Sequence, residues 1–560
     1  MVKRLLKYWS SEIVGLHEAA YLLALFAFLS QLLALVRDRL LASYIGPSTT
    51  LDIYYTAFRI PDLIFITIGS LVSVSVLIPF LTAKYREGYQ AEKRFVDNIF
   101  SFFFLLVVAV SLIVWCLVPT LVTALFPGFT GVEMTEVIHM TRILLLSPIL
   151  LGISNFFASI TQVTKRFVIY AVSPLVYNLG IIFGIVCLYP VYGLTGLISG
   201  VILGAMGHLL IQVPFVVKKK LLPTLIGRFD WAGIWAVARL SLPRTITLGV
   251  FQIALIVLLG FASLMEEGSI AIFNLAFNLQ SVPLAIIGVS YSVAAFPTLA
   301  KLFADGERSK FVAEVATSAR QIIFWSLPVM ALFIVLRAQI VRVILGAGAF
   351  DWNHTRLTAA ALALFSVSLI GQCLVALLIR AFYAQGDTKR PLVISLSAGI
   401  LVIVLAKLGL HIFTTYPLAQ TSLESLLRVE GIAGTALLVL PLGYSLAILF
   451  QLVALWLTFV RSHQGTGRLI TRTLWHSGIA SLAIGVVTYA GLNLFDAYFD
   501  LDSLVGVLLQ GLLAGLLGIL AGLIVLKLFS SPELSVVWRT LRAKIWRAKP
   551  LPADTDPLVS

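Results

Sequence analysis

Long apolar stretches alternate with short polar segments along nearly the whole chain. Each stretch provides about 20 consecutive, mostly apolar residues, the length that an α-helix needs to cross roughly 30 Å of hydrocarbon. The pattern therefore predicts an all-α polytopic membrane protein with fourteen transmembrane helices. The predicted spans are residues 18–44, 52–82, 97–125, 136–162, 167–189, 191–217, 232–263, 268–300, 312–345, 355–384, 391–414, 430–460, 470–496 and 503–529.

The polar segments differ in charge, because lysine and arginine are concentrated in every second one. The basic residues of these segments are Lys3, Arg4, Lys7, Lys84, Arg86, Lys93, Arg94, Lys165, Arg166, Lys218, Lys219, Lys220, Arg228, Lys301, Arg308, Lys310, Lys389, Arg390, Arg461 and Arg468, followed by the basic tail. The intervening segments, such as GPSTTL and PGFTGVEM, hold almost none. Basic residues collect on the cytoplasmic side of membrane proteins. We therefore predict that both termini are cytoplasmic.

Two short motifs occur twice, at equivalent points of a six-span unit. TQVTKR, which contains Thr164, matches AQGDTKRP, which contains Thr388, and IPFL at Pro79 matches FPTL at Pro297. Six is an even number, so the two halves share one orientation and form a parallel repeat. The predicted domains are a cytoplasmic segment (1–17), two six-helix bundles (18–228 and 229–461), helices thirteen and fourteen as an appendage (462–530) and a basic cytoplasmic tail (531–560).

Composition supports the membrane assignment. Of the 560 residues, 60% are hydrophobic and only 12% are charged, and the mean hydropathy is +1.01. A soluble protein of this length carries far more surface charge. The net charge of +14 follows from the basic loops, so we expect no nucleic-acid partner.

The sequence holds no signature of an enzyme. The seven histidines are scattered without a metal pair at helical spacing, and no Walker loop, GxSxG or CxxC motif occurs. Cys116, Cys187 and Cys373 lie far apart in apolar spans, and we interpret them as small buried packing residues. We therefore expect transport, with no catalysis, cofactor or metal.

Charged residues surround the polar segment between the first two spans, and they predict a cavity. Ionic side chains at membrane depth are costly unless they face a bundle interior, a partner or water. The candidate cavity residues are Gln31, Arg37, Asp38, Asp52, Arg59, Asp62, Arg239, Arg244, Asn274, Asn278 and Gln280.

Arg37 has two interpretations. A guanidinium binds phosphate or pyrophosphate with two parallel hydrogen bonds. Alternatively, Arg37 forms an ion pair with Asp52 or Asp62 that ties the first two spans together. We expect Arg39 and Arg59 to snorkel to the outer interface, and Arg239 to snorkel to the inner one. Arg244 lies deeper in its span and is a better candidate ligand.

Glycines recur at four-residue spacing in two spans. Small residues at this spacing let helix backbones approach closely in lipid. We favour packing within the chain over a homodimer face. The glycines are Gly196, Gly200 and Gly204 in span six and Gly511, Gly515, Gly518 and Gly522 in span fourteen.

Five segments stand out together, and they are Arg37-Asp38, GPSTTLDIYYTAFRIPDL (46–63), GSLVSVSVLIPFL (69–81), residues 266–300 and GDTKRPL (386–392). In this order they resemble the MurJ/MviN lipid II flippases of the MOP exporter superfamily. The resemblance covers the first twelve spans and agrees with the count of fourteen. Arg37, Asp38 and Asp52 match family positions.

The resemblance implies two six-helix bundles around a central cavity, and a lipid-facing groove made by spans thirteen and fourteen. It implies export of the undecaprenyl-pyrophosphate-linked peptidoglycan precursor, lipid II, across the bacterial inner membrane, with cell-wall synthesis proteins as further partners. Family members carry additional cavity arginines where this chain has Gln31, Phe65 and Asn278. Anion capture here would then depend on Arg37 and Arg244, unless the substrate differs.

Three functions are consistent with these features. The first is an alternating-access lipid II flippase. The second is a flippase for another polyprenyl-linked oligosaccharide or a drug exporter of the same superfamily, which the missing arginines favour. The third is a lipid-binding scaffold, which the small loops disfavour.

Carboxylates of the second half lie in loops or at span ends. This disfavours a proton or sodium site on a mid-membrane carboxylate there, and the energy source stays open.

Overall fold

The fold is entirely helical in the part of the chain that the computed structural model describes, which is residues 16–71, 74–164, 167–463, 466–501 and 503–546. Within these residues, ten helices are long and apolar enough to cross a membrane, or eleven if one bent pair counts as a span. The all-α polytopic class is confirmed. Each of the fourteen predicted spans contains at least one helix, and the number of crossings stays a prediction.

The first six predicted spans contain ten helices of the described chain. They are α1 (Leu16–Tyr44), α2 (Thr49–Ala57), α3 (Arg59–Leu71), α4 (Val74–Glu87), α5 (Tyr89–Leu125), α6 (Gly131–Leu144), α7 (Leu146–Val163), α8 (Phe167–Phe183), α9 (Tyr189–Leu210) and α10 (Val213–Lys218). Span two is broken at Phe58, and span four is broken at Leu145. A π-helical turn, Gly184–Leu188, joins α8 to α9.

The next six spans follow the same plan. They contain α11 (Trp231–Ser263), α12 (Ser269–Pro283), α13 (Ser290–Ala304), α14 (Arg308–Val335), α15 (Arg337–Leu345), α16 (Trp352–Val367), α17 (Leu369–Ala384), α18 (Lys389–Thr415) and, after α19 (Pro417–Leu427) in the loop between spans eleven and twelve, α20 (Val439–Ser462). A second π-helical turn, Leu284–Val289, joins α12 to α13. Span ten bends by 41° at Ser368, and its predicted equivalent, span four, is also broken. The predicted domain boundaries stay predictions.

The last helices pack on the second half. They are α21 (Thr466–Asp496), α22 (Leu504–Leu528) and α23 (Pro532–Trp546). α21 packs against α22 and α14, and α22 also contacts α15. Gln339 of α15 donates a hydrogen bond to Gln510 of α22 over 3.2 Å.

The loops meet in the two groups that the charge pattern predicts. Among the basic loops, the Tyr89 hydroxyl donates to the carbonyl of Lys220 over 2.9 Å. Among the loops without lysine clusters, the backbone N–H of Gly128 donates to the Ser263 hydroxyl over 3.3 Å. Which group faces the cytoplasm stays a prediction.

The spaced glycines pack within the chain, which confirms the interpretation from their spacing. A Cβ added at Gly204 would lie 2.5 Å from the carbonyl oxygen of Tyr177, and one at Gly200 would lie 2.4 Å from the Cα of Gly184. In span fourteen, a Cβ at Gly518 would lie 1.9 Å from the Thr488 hydroxyl. Close backbone contact therefore joins α8 to α9 and α21 to α22.

The expectation for the cysteines is only partly correct. Cys373 is buried, whereas Cys116 and Cys187 are exposed. A helix surface that faces hydrocarbon accepts small apolar side chains without burial, because lipid tails are as apolar as a protein core.

Candidate functional site

Arg37 forms an ion pair with the next residue in the sequence. It lies about two turns before the end of α1, where its Nη2 and Nε atoms donate to Asp38 Oδ1 over 2.8 and 3.0 Å. This corrects the interpretation in which Arg37 pairs with Asp52 or Asp62. Adjacent helical side chains rarely meet, but the long arginine can fold back onto the buried Asp38.

Two asparagines from distant spans hold this ion pair in place. Asn178 of α8 accepts from Arg37 Nη1 over 3.4 Å and donates to the Ser30 hydroxyl over 3.3 Å. Asn278 of α12 donates to the second carboxylate oxygen of Asp38 over 3.1 Å. The network therefore joins α1 and α8 of the first half to α12 of the second half.

A cavity of about 220 Å³ lies beside this network. It is bounded by α1, α2, α3 and α8 from the first half and by α12 from the second. Its lining residues are Arg37, Leu41, Tyr54, Tyr55, Phe58, Arg59, Asp62, Tyr177, Ile181, Asn274 and Asn278. We call this space the central cavity.

Arg59 faces the central cavity, and the expectation that it snorkels to the membrane surface is wrong. Its Nη2 donates to the amide oxygen of Asn274 on α12. The Arg59 Nε and the Tyr55 hydroxyl are buried, and neither has a hydrogen-bond partner within the described chain. Unmade hydrogen bonds of buried donors are costly, so both groups are available to an anion that enters the cavity.

The cavity carries balanced charge. Arg37, Arg59 and Asp62 line it, and Asp38 lies beside it in an ion pair with Arg37. Asp62 lines the cavity and makes no ion pair within the described residues. An entering anion therefore meets two cations that are already held by acidic or amide neighbours.

Asp52 lies apart from the central cavity, at the start of α12. Its carboxylate accepts from the backbone N–H groups of Gly268 and Ala271 over 2.9 and 2.7 Å. A carboxylate at a helix N-terminus satisfies free backbone donors and complements the helix dipole. Next to it, the backbone N–H of Thr49 donates to Glu267 over 2.8 Å. Both contacts join the two halves.

Arg39 also joins the two halves, so the expectation that it snorkels is wrong as well. Its Nη1 donates to the carbonyls of Val343 and Ile344 over 2.6 and 3.2 Å, at the end of α15. A cation there satisfies carbonyls that lack a partner within the helix. Nearby, the backbone N–H of Ala349 donates to the carbonyl of Ser43 over 3.0 Å.

We call the contacts made by Arg39, Ser43, Thr49 and Asp52 with the second half the interface seal. It lies at the end of the molecule away from the basic loops, just beyond the central cavity. The hydrogen bonds from Thr49 lower the pKa of Glu267. This contact therefore persists as the medium acidifies until the pH falls through that lowered pKa.

The remaining predicted residues lie elsewhere. Neither Gln31 on α1 nor Phe65 on α3 is among the cavity-lining residues. The backbone of Arg244 belongs to α11, but its side chain lies outside the described part of the structure. Arg239 is exposed, and Gln280 is buried.

Sequence reasoning missed Tyr54, Tyr55, Tyr177 and Asn178. The tyrosines read as ordinary apolar-span residues, because a phenol ring is mostly hydrophobic. Asn178 gave a signal, since it is a polar residue in the run FVIYAVSPLVYNLGIIF. Polar residues inside spans pair with one another or line cavities, and that rule identifies it.

Comparison with known proteins agrees with this architecture. The sequence profile of the family described as lipid II flippase MurJ matches residues 41–510. The lipid II flippase MurJ of Burkholderia cenocepacia is 25% identical over 403 residues, covering 70% of this chain and 77% of that protein. A probable lipid II flippase MurJ of Thermotoga maritima is 24% identical over 503 residues, covering 86% and 97%.

Solved structures share the fold. A lipid II flippase MurJ in an inward closed conformation superposes with a TM-score of 0.69 at 21% identity, covering 93% of this chain and 99% of that one. An inward-facing multidrug resistance MATE transporter of the MOP superfamily gives 0.62 at 17% identity, covering 78% and 95%. These likenesses concern the fold alone, and the family assignment comes from the sequence profile, which covers most of the chain. The protein therefore belongs to the MurJ family of lipid II flippases.

Proposed function

We propose that this protein moves lipid II from the inner to the outer leaflet of the bacterial inner membrane by alternating access. Lipid II is an undecaprenyl pyrophosphate that carries a peptidoglycan precursor. The observation that supports this most directly is the central cavity, where two arginines meet between the halves beneath a closed interface seal.

The pyrophosphate is the part of the substrate that the cavity suits. Arg37 and Arg59 offer guanidinium donors, and Tyr55 adds a hydroxyl without a partner in the described chain. Hydrogen bonds between guanidinium and phosphate are about twice as strong as neutral ones. Asp38 and Asn178 hold Arg37 in place before the substrate enters.

The size of the cavity implies motion. A space of about 220 Å³ suits a pyrophosphate but is far too small for a disaccharide with a peptide. α3 of the first half also packs against α11 of the second. The halves must therefore separate there to admit the head group, then close, and then release it by opening the interface seal.

The membrane supplies direction and a driving force. With the basic loops and both termini in the cytoplasm, the interface seal lies on the outer side. A negative-inside potential then favours outward movement of an anion by about 2.3 kcal/mol per charge per 100 mV. We propose that the polyprenyl tail stays in lipid throughout, and that cell-wall synthesis proteins receive the exported precursor.

Genetic replacement tests the proposal. A cell depleted of its own lipid II flippase should grow when this protein is supplied. Arg37→Ala should abolish growth at an unchanged membrane level, because the pyrophosphate loses its fixed cation. Arg239→Ala is the matched control, since Arg239 is exposed outside the cavity, and this variant should support growth.

Two results would count against the proposal. Full rescue by Arg37→Ala would remove Arg37 from the site. Failure of the wild-type protein to rescue, at normal membrane level, would point to another polyprenyl-linked saccharide as the substrate.

A further inference from the structure

The segment that connects the two halves is bound along a helix of the first half. α10 ends at Lys218 and α11 begins at Trp231, so residues 219–230 make the connection. We call these residues the strap. Residues 221–226 of the strap form neither a helix nor a turn. Their backbone is bound instead by side chains from the first turns of α5.

The side chains of α5 that bind the strap follow one another at four-residue intervals. The Tyr89 hydroxyl donates to the carbonyl of Lys220 over 2.9 Å. One turn later, Lys93 Nζ donates to the carbonyl of Leu222 over 3.0 Å. Both side chains therefore bind backbone groups, and the bonds do not depend on the side chains of the strap.

The next two turns of α5 continue this pattern. Asp97 Oδ1 accepts from the backbone N–H of Thr224 over 2.8 Å. The Ser101 hydroxyl donates to the carbonyl of Thr224 over 3.2 Å and accepts from the backbone N–H of Ile226 over 3.0 Å. Each step of four residues along α5 is thus matched by a step of two residues along the strap.

The matched steps have a geometric reason. Four residues of an α-helix rise about 6 Å, and two residues of an extended chain advance about 6.6 Å. An extended strap that runs parallel to α5 can therefore meet a side chain at every turn of the helix.

Asp230 is the last residue of the strap, and it is bound on both sides. Asn98 of α5 donates from Nδ2 to the carbonyl of Asp230 over 3.0 Å and accepts the Asp230 N–H at Oδ1 over 2.9 Å. The Asp230 carboxylate accepts from the backbone N–H groups of Ala232 and Gly233 over 3.1 and 3.3 Å. The backbone of Asp230 is therefore fixed to the first half, while its side chain caps the first helix of the second half.

Aromatic rings surround this junction. The ring centroid of Phe102 on α5 lies 6.2 Å from that of Phe229 and 5.9 Å from that of Trp231, the two neighbours of Asp230. The rings of Phe229 and Trp231 lie 5.7 Å apart. Edge-to-face contacts of this kind stabilise the junction against α5. They leave its tilt free to change, because apolar attraction is not directional.

No residue lies between the last contact of the strap with α5 and the start of α11. A slide of α11 along α5 by a few ångströms would break the bonds between Asn98 and Asp230. A tilt of up to about 30° would keep them, because hydrogen bonds weaken steeply only at larger angles.

We propose that Asp230 is the pivot of the molecule. The strap travels with the first half, and the second half tilts about Asp230 when the halves separate. The pivot rests on the alternating access proposed above. Residues at the ends of helices commonly absorb such motions.

Distances between spin labels test the pivot in the full-length protein, without native cysteines, in nanodiscs. One label replaces Leu225 on the strap. The second replaces Tyr85 in the first half, Trp235 near the start of α11, or Ser309 on α14 of the second half, and all four residues are exposed. When lipid II is added, we expect the distance from Leu225 to Ser309 to change and the other two to hold, because displacement in a tilt is smallest near the pivot.

The other outcomes separate the pivot from the transport mechanism. A changed distance to Tyr85 with a constant distance to Ser309 would show that the strap travels with the second half. That result would overturn the pivot and leave alternating access intact. Equal changes at Trp235 and Ser309 would show that the halves slide, and would overturn the pivot too. Constant distances in all three pairs would show that the halves do not rock, and both proposals would fail.

A pair of amide variants tests the role of Asp230 itself. Asn98→Ala removes both bonds to the Asp230 backbone, so deuterium exchange at the Asp230 amide should speed up about tenfold. The distances between Leu225 and Trp235 should also spread over a wider range. Gln90→Ala removes an exposed amide from the same helix, and this control should match the parent in both measurements. Parent-like exchange and distances in Asn98→Ala would overturn the pivot at Asp230.

Discussion

Three arginines near the start of the chain have three different environments. Arg37 pairs with a carboxylate, Arg39 donates to backbone carbonyls, and Arg59 donates to an amide. All three lie at the membrane ends of predicted spans, where the sequence suggests the same behaviour for Arg39 and Arg59. The partners that distinguish Arg39 from Arg59, Val343 and Asn274, are supplied by the second half of the chain.

Arg59 lines the central cavity, and we expect it to contribute to transport. Arg59→Gln keeps a donor for Asn274 but removes the charge that faces the cavity. A charge-assisted hydrogen bond contributes about 1.5–3 kcal/mol, so the initial rate of lipid II translocation should fall about tenfold or more. The measurement is accessibility of lipid II at the outer leaflet of proteoliposomes.

The matched control for Arg59→Gln is Arg239→Gln, which removes an exposed arginine from predicted span seven. The control should keep the parent rate. If both variants transport alike, Arg59 does not contact the substrate, and its bond to Asn274 is structural.

The sequence was sufficient to locate the cavity but not to define its lining. Arg37, Asp38 and Asp62 stand out because charge at membrane depth requires a polar environment. The partner of Arg59 lies 215 residues away in the sequence, and nothing local to either residue indicates that pairing. Asp52 was expected among the cavity residues, and only the fold reveals that it caps α12.

At the scale of helices, glycine spacing was a reliable guide and helix breaks were not. The close approach of α8 and α9 follows from small residues at four-residue intervals. The π-helical turn Leu284–Val289 inserts an extra residue into an apolar run. Such an insertion leaves hydropathy unchanged, so the sequence pattern does not show it.

Replacing Gly204 by alanine should lower the stability of the protein, whereas replacing Gly478 by alanine should not. Gly204→Ala places a Cβ 2.5 Å from the Tyr177 carbonyl oxygen, and overpacking of this kind costs about 1–3 kcal/mol. The clash pushes α8 away and displaces Tyr177 and Asn178 from the central cavity. The melting temperature and the translocation rate should therefore both fall.

The control is Gly478→Ala, because a Cβ added at Gly478 meets no atom within 4 Å. Alanine favours a helix over glycine by about 1 kcal/mol, so the melting temperature of this variant should hold or rise. A fall of equal size in both variants would show that α8 and α9 do not depend on close contact.

At the scale of the whole molecule, polar contacts join the two halves at the end away from the basic loops, and the hydropathy pattern does not predict these contacts. The interface seal combines a helix cap from Asp52, a carbonyl contact from Arg39 and a backbone bond from Ser43. Each takes one partner from each half. The central cavity can therefore open on that side only if all of them break together, which makes the seal a two-state element of the kind that alternating access requires.

A disulfide across the seal should stop transport reversibly. Ser43 and Ala349 suit this test, because the backbone N–H of Ala349 donates to the Ser43 carbonyl over 3.0 Å and Ala349 is exposed to oxidant. The cysteine pair Ser43→Cys and Ala349→Cys is placed in a background without Cys116, Cys187 and Cys373. Because the closed seal blocks release of the head group, oxidation should abolish translocation and a reductant should restore it. The single-cysteine variants should transport with or without oxidant. If the fully cross-linked protein still moves lipid II at the parent rate, the halves do not separate at this end, and the substrate must leave by another route.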